Sequence, residues 1–192
     1  RRREPRHAPL ALLMALTVLI PTAARADGLE VDVTERAGVY QVRGSFITNV
    51  PVQIVWDVLT DYGHIGSFVQ SVKKSSIEPR PNGHLLVRQE MLVGVFPLRR
   101  KAEVALDVRE DARQRIAFHD ELAKDFRVYV GHWTLETDSL RTVVRYSLDA
   151  DPLAGLPHFI GRGVLSHGAQ DLLKQVEVEM ERRARARGPA RR

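Results

Sequence analysis

Six successive segments in the middle of the chain are strand-like, and several of them alternate apolar and polar positions with a period of two, a pattern typical of half-buried β-strands. The segment 99–110 shows it most clearly, since Val104, Leu106 and Val108 share one face. Pro81-Asn82-Gly83 separates two of the segments and is a strong signal for a hairpin turn. Short polar links join the neighbours, which predicts an antiparallel meander. The six predicted strands are 71–80, 84–93, 99–110, 114–122, 126–136 and 141–149.

The part of the chain before this meander combines one more strand with helical spacing. A strand is predicted over 39–48, which is rich in β-branched and aromatic residues. Val55 and Leu59 then lie on one face of a short helix, for which Asn49 is the predicted N-cap. A second short helix is predicted over 64–69.

The last predicted element is a long amphipathic helix over 159–185. Gly161 and Gly163 lie near its start, where they leave room for close backbone packing or for a ligand. Its apolar stripe consists of Leu165, Ala169, Leu172, Leu173, Val176 and Met180.

This order of elements predicts an α+β domain over residues 27–185. Its curved antiparallel sheet of about six to seven strands wraps on the long C-terminal helix, and two short helices follow the first strand. A curved sheet cannot bury its concave face against itself, so the long helix must cover it. The space between sheet and helix is therefore a predicted apolar cavity and the default binding site.

The N-terminal 26 residues have the three parts of a secretory signal peptide. A basic stretch at 1–7 precedes an apolar run over 8–20, and Ala-Arg-Ala ends at Ala26. We expect cleavage after Ala26 and a secreted or periplasmic protein. The alternative is a retained membrane anchor, although the run is shorter than the roughly 20 residues that a spanning helix needs.

Composition and charge exclude several classes of protein. The 192 residues contain no Cys, which excludes disulfide scaffolds, thiol catalysis and iron–sulfur clusters. The net charge of +5 comes from the two ends, because residues 27–181 hold 18 basic and 23 acidic residues. A nucleic-acid partner is therefore not expected. The Arg-rich end, 186–192, is predicted to be disordered, with peripheral contact to anionic membranes as the alternative.

Several residue runs resemble the helix-grip superfamily, which includes START-like lipid-transfer, polyketide cyclase/dehydrase and coenzyme Q-binding proteins. The runs are Val50-Pro51, Val55-Trp56-Asp57-Val58-Leu59, Asp61-Tyr62, Phe68-Val69, Ser71-Val72-Lys73, Val87-Arg88-Gln89-Glu90 and Trp133-x-Leu135-Glu136. The resemblance covers about residues 38–185. It implies a helix-grip fold that holds a hydrophobic molecule between the long helix and the sheet.

Three polar residues are candidates for a catalytic role. Tyr62 is placed at the mouth of the cavity, Gln89 would point an uncharged amide into it, and His167 could face inward from the long helix. Structural roles for Tyr62 and His167 are the alternatives. The seven His lack the spacing of metal ligands, so we expect neither a metal nor another cofactor.

These patterns predict a binding or transport protein for a lipid, isoprenoid or aromatic ligand. The alternative is a small cofactor-free enzyme of the cyclase/dehydrase type that uses the same cavity. The oligomeric state stays open. The predicted ligand-binding residues are Trp56, Asp61, Tyr62, Phe68, Gln89, Met91, Val104, Leu106, Phe118, Trp133, Tyr146, Leu165 and Leu172.

Overall fold

The computed structural model describes residues 28–94, 99–138, 140–153 and 158–188, with only the backbone of 158–160. The predicted signal peptide and the end of the Arg-rich tail lie outside these residues. Eight strands form one antiparallel sheet in the order β1-β2-β8-β7-β6-β5-β4-β3. The strands are β1 Glu30–Arg36, β2 Val39–Thr48, β3 Val72–Pro79, β4 Leu85–Val93, β5 Arg100–Asp111, β6 Arg115–Asp120, β7 Phe126–Thr137 and β8 Thr142–Pro152.

Two α-helices complete the described fold. Helix α1, Val52–Leu59, and a single 3₁₀ turn, Ile65–Ser67, follow β2, and helix α2, His158–Arg187, follows β8. The α+β helix-grip architecture predicted from the sequence is thus confirmed. None of the described helices is long and apolar enough to cross a membrane.

The sheet has one strand more than the six to seven predicted. The additional strand is β1, which pairs with β2 through a tight hairpin at Ala37 and Gly38, both with positive φ. Val31 and Val33 alternate along β1 and are partly buried against the core. The period of two is therefore present in β1. The strand was not predicted because it lies at the edge of the sheet, is only half-buried and has few apolar residues.

The start of α1 differs from the prediction that Asn49 caps it. Pro51 is the N-cap residue, with no side-chain hydrogen bond, and its carbonyl accepts hydrogen bonds from the amides of Ile54 and Val55. Thr48 Oγ1 instead accepts the Val50 amide at 3.2 Å. The chain turns into α1 through the fixed φ of proline rather than through a polar cap.

Helix α2 lies directly on the backbone of β2. A Cβ on Gly44 would come within 2.5 Å of Leu173 Cδ1, and a Cβ on Gly161 would meet the Tyr40 ring and hydroxyl. As predicted, Gly161 leaves space beside the backbone at the start of the helix, and the side chain of Tyr40 fills that space. Leu173 and Met180 are fully buried beneath the helix with Phe46 of β2.

The Arg-rich end is helical for longer than predicted. Helix α2 continues to Arg187, so residues 186 and 187 belong to it rather than to a disordered tail. Arg183 and Arg187 bind Asp61 and Asp57 at the end of α1. These ion pairs connect the last turns of α2 to α1 and to the segment that follows it.

Candidate functional site

A cavity of about 570 Å³ lies between α2 and the concave face of the sheet. Its walls come from alternate positions of neighbouring strands, which point to the same face of a sheet. The apolar wall residues on the strands are Val42, Val72, Val87, Met91, Leu92, Val93, Leu106, Val108, Ile116, Phe118, Phe126, Tyr129, Trp133, Tyr146, Leu148 and Pro152. Helix α2 contributes Val164, Leu165, Ala169 and Leu172.

Aromatic rings form a continuous part of this wall. The rings of Trp133 and Tyr146 lie 4.6 Å apart between centroids, and those of Phe126 and Tyr129 lie 4.8 Å apart. Both distances are within the range of favourable tilted ring pairs. Phe118 adds to this wall at 6.2 Å from Tyr129. Flat rings of this kind suit an apolar or aromatic ligand.

Gly131 of β7 makes room for one of these rings. A Cβ at this position would lie 2.6 Å from Phe118 Cζ and 2.3 Å from the Ser147 carbonyl oxygen. Any side chain here would push the ring away from the sheet. The glycine therefore fixes how deep Phe118 sits and contributes to the shape of the cavity.

Gln89 places an amide in the cavity wall, as the alternation along β4 predicts. Its side chain is 9% exposed, and its Nε2 lies 3.4 Å from Ser75 Oγ. This distance exceeds the usual 2.7–3.2 Å of an N–H···O hydrogen bond by about 0.2 Å. The weakly held amide is therefore available to a carbonyl or hydroxyl of a ligand.

The two cavity tyrosines on β7 and β8 remain protonated over the physiological range. Burial raises the pKa of Tyr129 to about 12, with Asp120 adding to the effect. Burial also raises the pKa of Tyr146 well above its ordinary value, together with the nearby Tyr129 hydroxyl. Both groups can donate hydrogen bonds, but neither serves as a base near neutral pH.

The Tyr62 hydroxyl already has a partner. It donates to Glu110 Oε1 at 2.8 Å, and burial, followed by the charge of Glu110, raises its pKa far above the ordinary value. The ring lines the cavity. The arrangement favours a structural role for Tyr62 over acid–base work.

His167 lies at the rim of the cavity on α2. Its side chain is 61% exposed, and Nε2 lies 3.3 Å from Asp171 Oδ2 one helical turn later. The predicted inward orientation is therefore only partial. This is the one ion pair that we find with both members on the described lining.

Most of the predicted ligand-binding residues come together on the lining, and four do not. On it lie Tyr62, Gln89, Met91, Leu106, Phe118, Trp133, Tyr146, Leu165 and Leu172, together with His167. Off it lie Trp56 and Val104, which are buried in the core, and Asp61 and Phe68, which contact Arg183.

Asp61 is held by charged neighbours rather than turned to the cavity. Its carboxylate accepts hydrogen bonds from Arg183 Nη2 and His64 Nδ1, each at 2.7 Å. Burial acts to raise the pKa of Asp61, but these bonds outweigh it and hold the pKa below its usual range. The guanidinium of Arg183 also lies 5.6 Å from the Phe68 ring centroid.

Sequence reasoning omitted several lining residues that share a face with predicted ones. Tyr129 lies four residues before Trp133 on β7, and Leu148 lies two residues after Tyr146 on β8. The period of two could have identified both. The same period places Arg100 on the face of Val104 and Leu106, but it does not identify Lys73 and Arg99 as lining residues.

The polar chemistry of the described residues is sparse. They contain no group of three or more His, Asp or Glu side chains placed to hold a metal ion. The neutral polar groups that face the cavity, among them Gln89 and the tyrosine hydroxyls, are hydrogen-bond donors and acceptors in an apolar surface, and the charged side chains of the lining are few. Such a site can orient a hydrophobic molecule by one or two polar groups.

A family model described as polyketide cyclase / dehydrase and lipid transport matches residues 48–177. No curated protein gives a significant sequence match.

Solved structures resemble the fold over most of their length. The Zhui aromatase/cyclase from Streptomyces sp. R1128 is 23% identical, with a TM-score of 0.64 over 79% of this chain and 99% of that chain. A STAR-related lipid transfer protein from Xanthomonas axonopodis is 17% identical, with a TM-score of 0.65 over 83% and 97%. A START superfamily protein from Mycobacterium smegmatis is 13% identical, with a TM-score of 0.63 over 74% and 97%. At these identities the likeness shows a common fold.

Proposed function

This chain belongs to the polyketide cyclase/dehydrase and lipid transport family, and on that premise we propose that it binds and carries a hydrophobic small molecule. The observation that carries the proposal is the cavity of about 570 Å³ between α2 and the sheet. Its volume lies within the range of about 300–1,000 Å³ typical of small-molecule sites.

The surface of the cavity supports an apolar ligand. Its walls are aliphatic and aromatic side chains, so an apolar molecule placed there leaves water for an apolar environment. That transfer is favourable by about 25 cal/mol for each Å² of apolar surface. Gln89 and the Tyr129 hydroxyl supply the few polar contacts that would orient the ligand.

The polar groups favour binding over catalysis. The buried tyrosines are protonated near neutral pH, and the Tyr62 hydroxyl is engaged by Glu110. The His167–Asp171 pair is more than half exposed at the rim, where water competes for it. A cyclase/dehydrase activity would have to use Gln89 or the tyrosine hydroxyls as hydrogen-bond donors to a carbonyl.

We also propose that the protein acts outside the cytoplasm, on the signal-peptide pattern of residues 1–26. The intact mass of the protein isolated from its own host tests this. A chain that begins at Asp27 would support export and cleavage, and a chain that retains residues 1–26 would contradict cleavage.

Binding of Nile red, a neutral apolar dye, tests the carrier function. We expect fluorescence to rise on binding to the wild type and affinity to fall about tenfold or more in Leu172→Trp, since the larger side chain fills the cavity. The control is Val178→Trp on the same helix, where the side chain is 52% exposed. Equal binding by both variants and the wild type would contradict the proposal.

A further inference from the structure

Three cationic side chains line the rim of the cavity, and we call Lys73, Arg99 and Arg100 the mouth cations. The only acidic residue on the described lining is Asp171, which pairs with His167. The rim is thus positive, although residues 27–181 as a whole carry more acidic than basic side chains. The positive charge at the rim is therefore opposite in sign to the net charge of residues 27–181.

The strand pairing brings the mouth cations to one end of the sheet. Val72 of β3 pairs with Met91 of β4, and Val93 of β4 pairs with Arg100 of β5. Lys73 and Arg100 therefore flank the same end of β4, on strands that each lie about 4.8 Å from it. Arg99 directly precedes β5 and extends the group toward the opening.

The mouth cations lack acidic partners. Within the described residues, Arg99 and Arg100 make no side-chain hydrogen bond or ion pair, and the Lys73 ammonium donates to the Gln70 carbonyl at 2.8 Å. Elsewhere on the sheet comparable cations are neutralised. Lys74 binds Glu90 at 2.7 Å, and Lys124 binds Glu103 at 2.7 Å.

Like charges held together beside an apolar surface repel one another, and their field attracts an anion. Guanidinium and ammonium groups bind carboxylates and phosphates through charge-assisted hydrogen bonds. Apolar wall residues lie beside these groups, with Val72 next to Lys73 on β3 and with Met91 and Val93 on β4 between β3 and β5. The site therefore joins an anion-binding rim to a hydrocarbon-binding interior.

We propose that the ligand is an anionic amphiphile, whose carboxylate or phosphate group binds the mouth cations while its apolar part fills the cavity. This inference rests on the proposed carrier function and specifies the class of ligand. It also gives the orientation of the ligand, with the charged group outward.

Displacement of Nile red by dodecanoate, dodecyl phosphate and dodecanol at pH 8 tests the inference. The three compounds share one chain and differ in the charge and kind of their polar group. We expect the anions to bind the wild type about tenfold or more tightly than the alcohol, because charge-assisted hydrogen bonds add to the same apolar burial. The tighter of the two anions identifies the preferred head group.

The variant Lys73→Gln/Arg99→Gln/Arg100→Gln should lose this preference and keep its affinity for dodecanol. A control with the same change in net charge is Lys101→Gln/Arg115→Gln/Lys174→Gln, at positions outside the lining, and it should keep the preference. Equal affinity of the wild type for anions and alcohol, or an unchanged preference in the mouth variant, would overturn this inference alone. Failure of Nile red and all three compounds to bind would overturn the carrier function as well.

Discussion

The guanidinium of Arg183 binds the Asp61 carboxylate at 2.7 Å, although 122 residues separate the two in the chain. The same side chain donates through Nε to Glu179 at 2.7 Å and through Nη1 to the Asp57 carbonyl. Arg183 therefore links the last turns of α2 to the segment that follows α1. Because α2 forms one wall of the cavity, this link holds that wall in place against α1 and the segment after it.

Removing the Arg183 guanidinium should destabilise the fold. Arg183→Met keeps much of the side-chain volume but leaves two partly buried carboxylates without this donor, so we expect a loss of about 1–3 kcal/mol in the free energy of unfolding. Urea denaturation measures it. The matched control is Arg109→Met, where an exposed arginine pairs loosely with Asp111 at 3.5 Å.

The same network predicts an acid-dependent loss of stability. Hydrogen bonds from Arg182 are the main reason why the pKa of Glu179 falls from its ordinary 4.5 to about 2. Burial opposes this shift, and Arg183 adds to it. The pKa of Asp61 is lowered too. A group whose pKa is lower in the folded state binds fewer protons there than in the unfolded state. Its contribution to the free energy of unfolding is therefore present above the unfolded-state pKa and is lost as the pH falls toward 2. We therefore expect the free energy of unfolding, measured at pH 7, 5 and 3, to decrease less with falling pH in Arg183→Met than in the wild type. Parallel profiles would contradict this assignment.

Gly131→Ala should destabilise the protein and disturb the cavity. The new methyl group would overlap Phe118 and the Ser147 carbonyl, and overpacking of this kind costs about 1–3 kcal/mol. Thermal unfolding and Nile red affinity should both fall. Gly163→Ala is the control, since a Cβ there meets nothing within 4 Å. It should leave stability unchanged or raise it by up to about 1 kcal/mol, because alanine favours helix.

Trp133 should contribute more to ligand affinity than to stability. Its ring lines the cavity and is only partly buried, whereas Phe46 is 1% exposed in the core and lies off the lining. We expect Phe46→Ala to cost about 3–5 kcal/mol of stability and Trp133→Ala less. Dodecanoate affinity should fall in Trp133→Ala. A loss of stability as large as that of Phe46→Ala, with affinity unchanged, would place Trp133 in the core instead.

Local periodicity was sufficient to predict the element order and the face that Gln89 presents. Several strands of the meander alternate with a period of two, so their inner faces and most of the cavity wall followed from residue spacing. β1 was missed because Val31 and Val33 are the only apolar residues that alternate within it. In these elements the burial of one face leaves a readable pattern in the sequence.

Long-range pairing accounts for what the sequence did not reveal. Asp61 and Phe68 were predicted to contact the ligand, but their partner Arg183 comes from the opposite end of the chain. The basic end was interpreted by composition alone, although Arg183 and Arg187 make specific ion pairs with α1 and its C-terminal loop. Lys73 comes to the same end of the sheet as Arg99 and Arg100 only because β3 and β5 flank β4. Spacing along the chain cannot show which distant side chains will meet.

The central claim is that the cavity holds a hydrophobic molecule, and native mass spectrometry of the protein purified from its own host tests it most directly. We predict a reproducible mass adduct that organic extraction removes and that is lost in Leu172→Trp but kept in Val178→Trp. Identification of the extract as an anionic amphiphile would also support the role of the mouth cations. An unliganded mass for the wild type, together with no binding of Nile red or dodecanoate, would contradict the account.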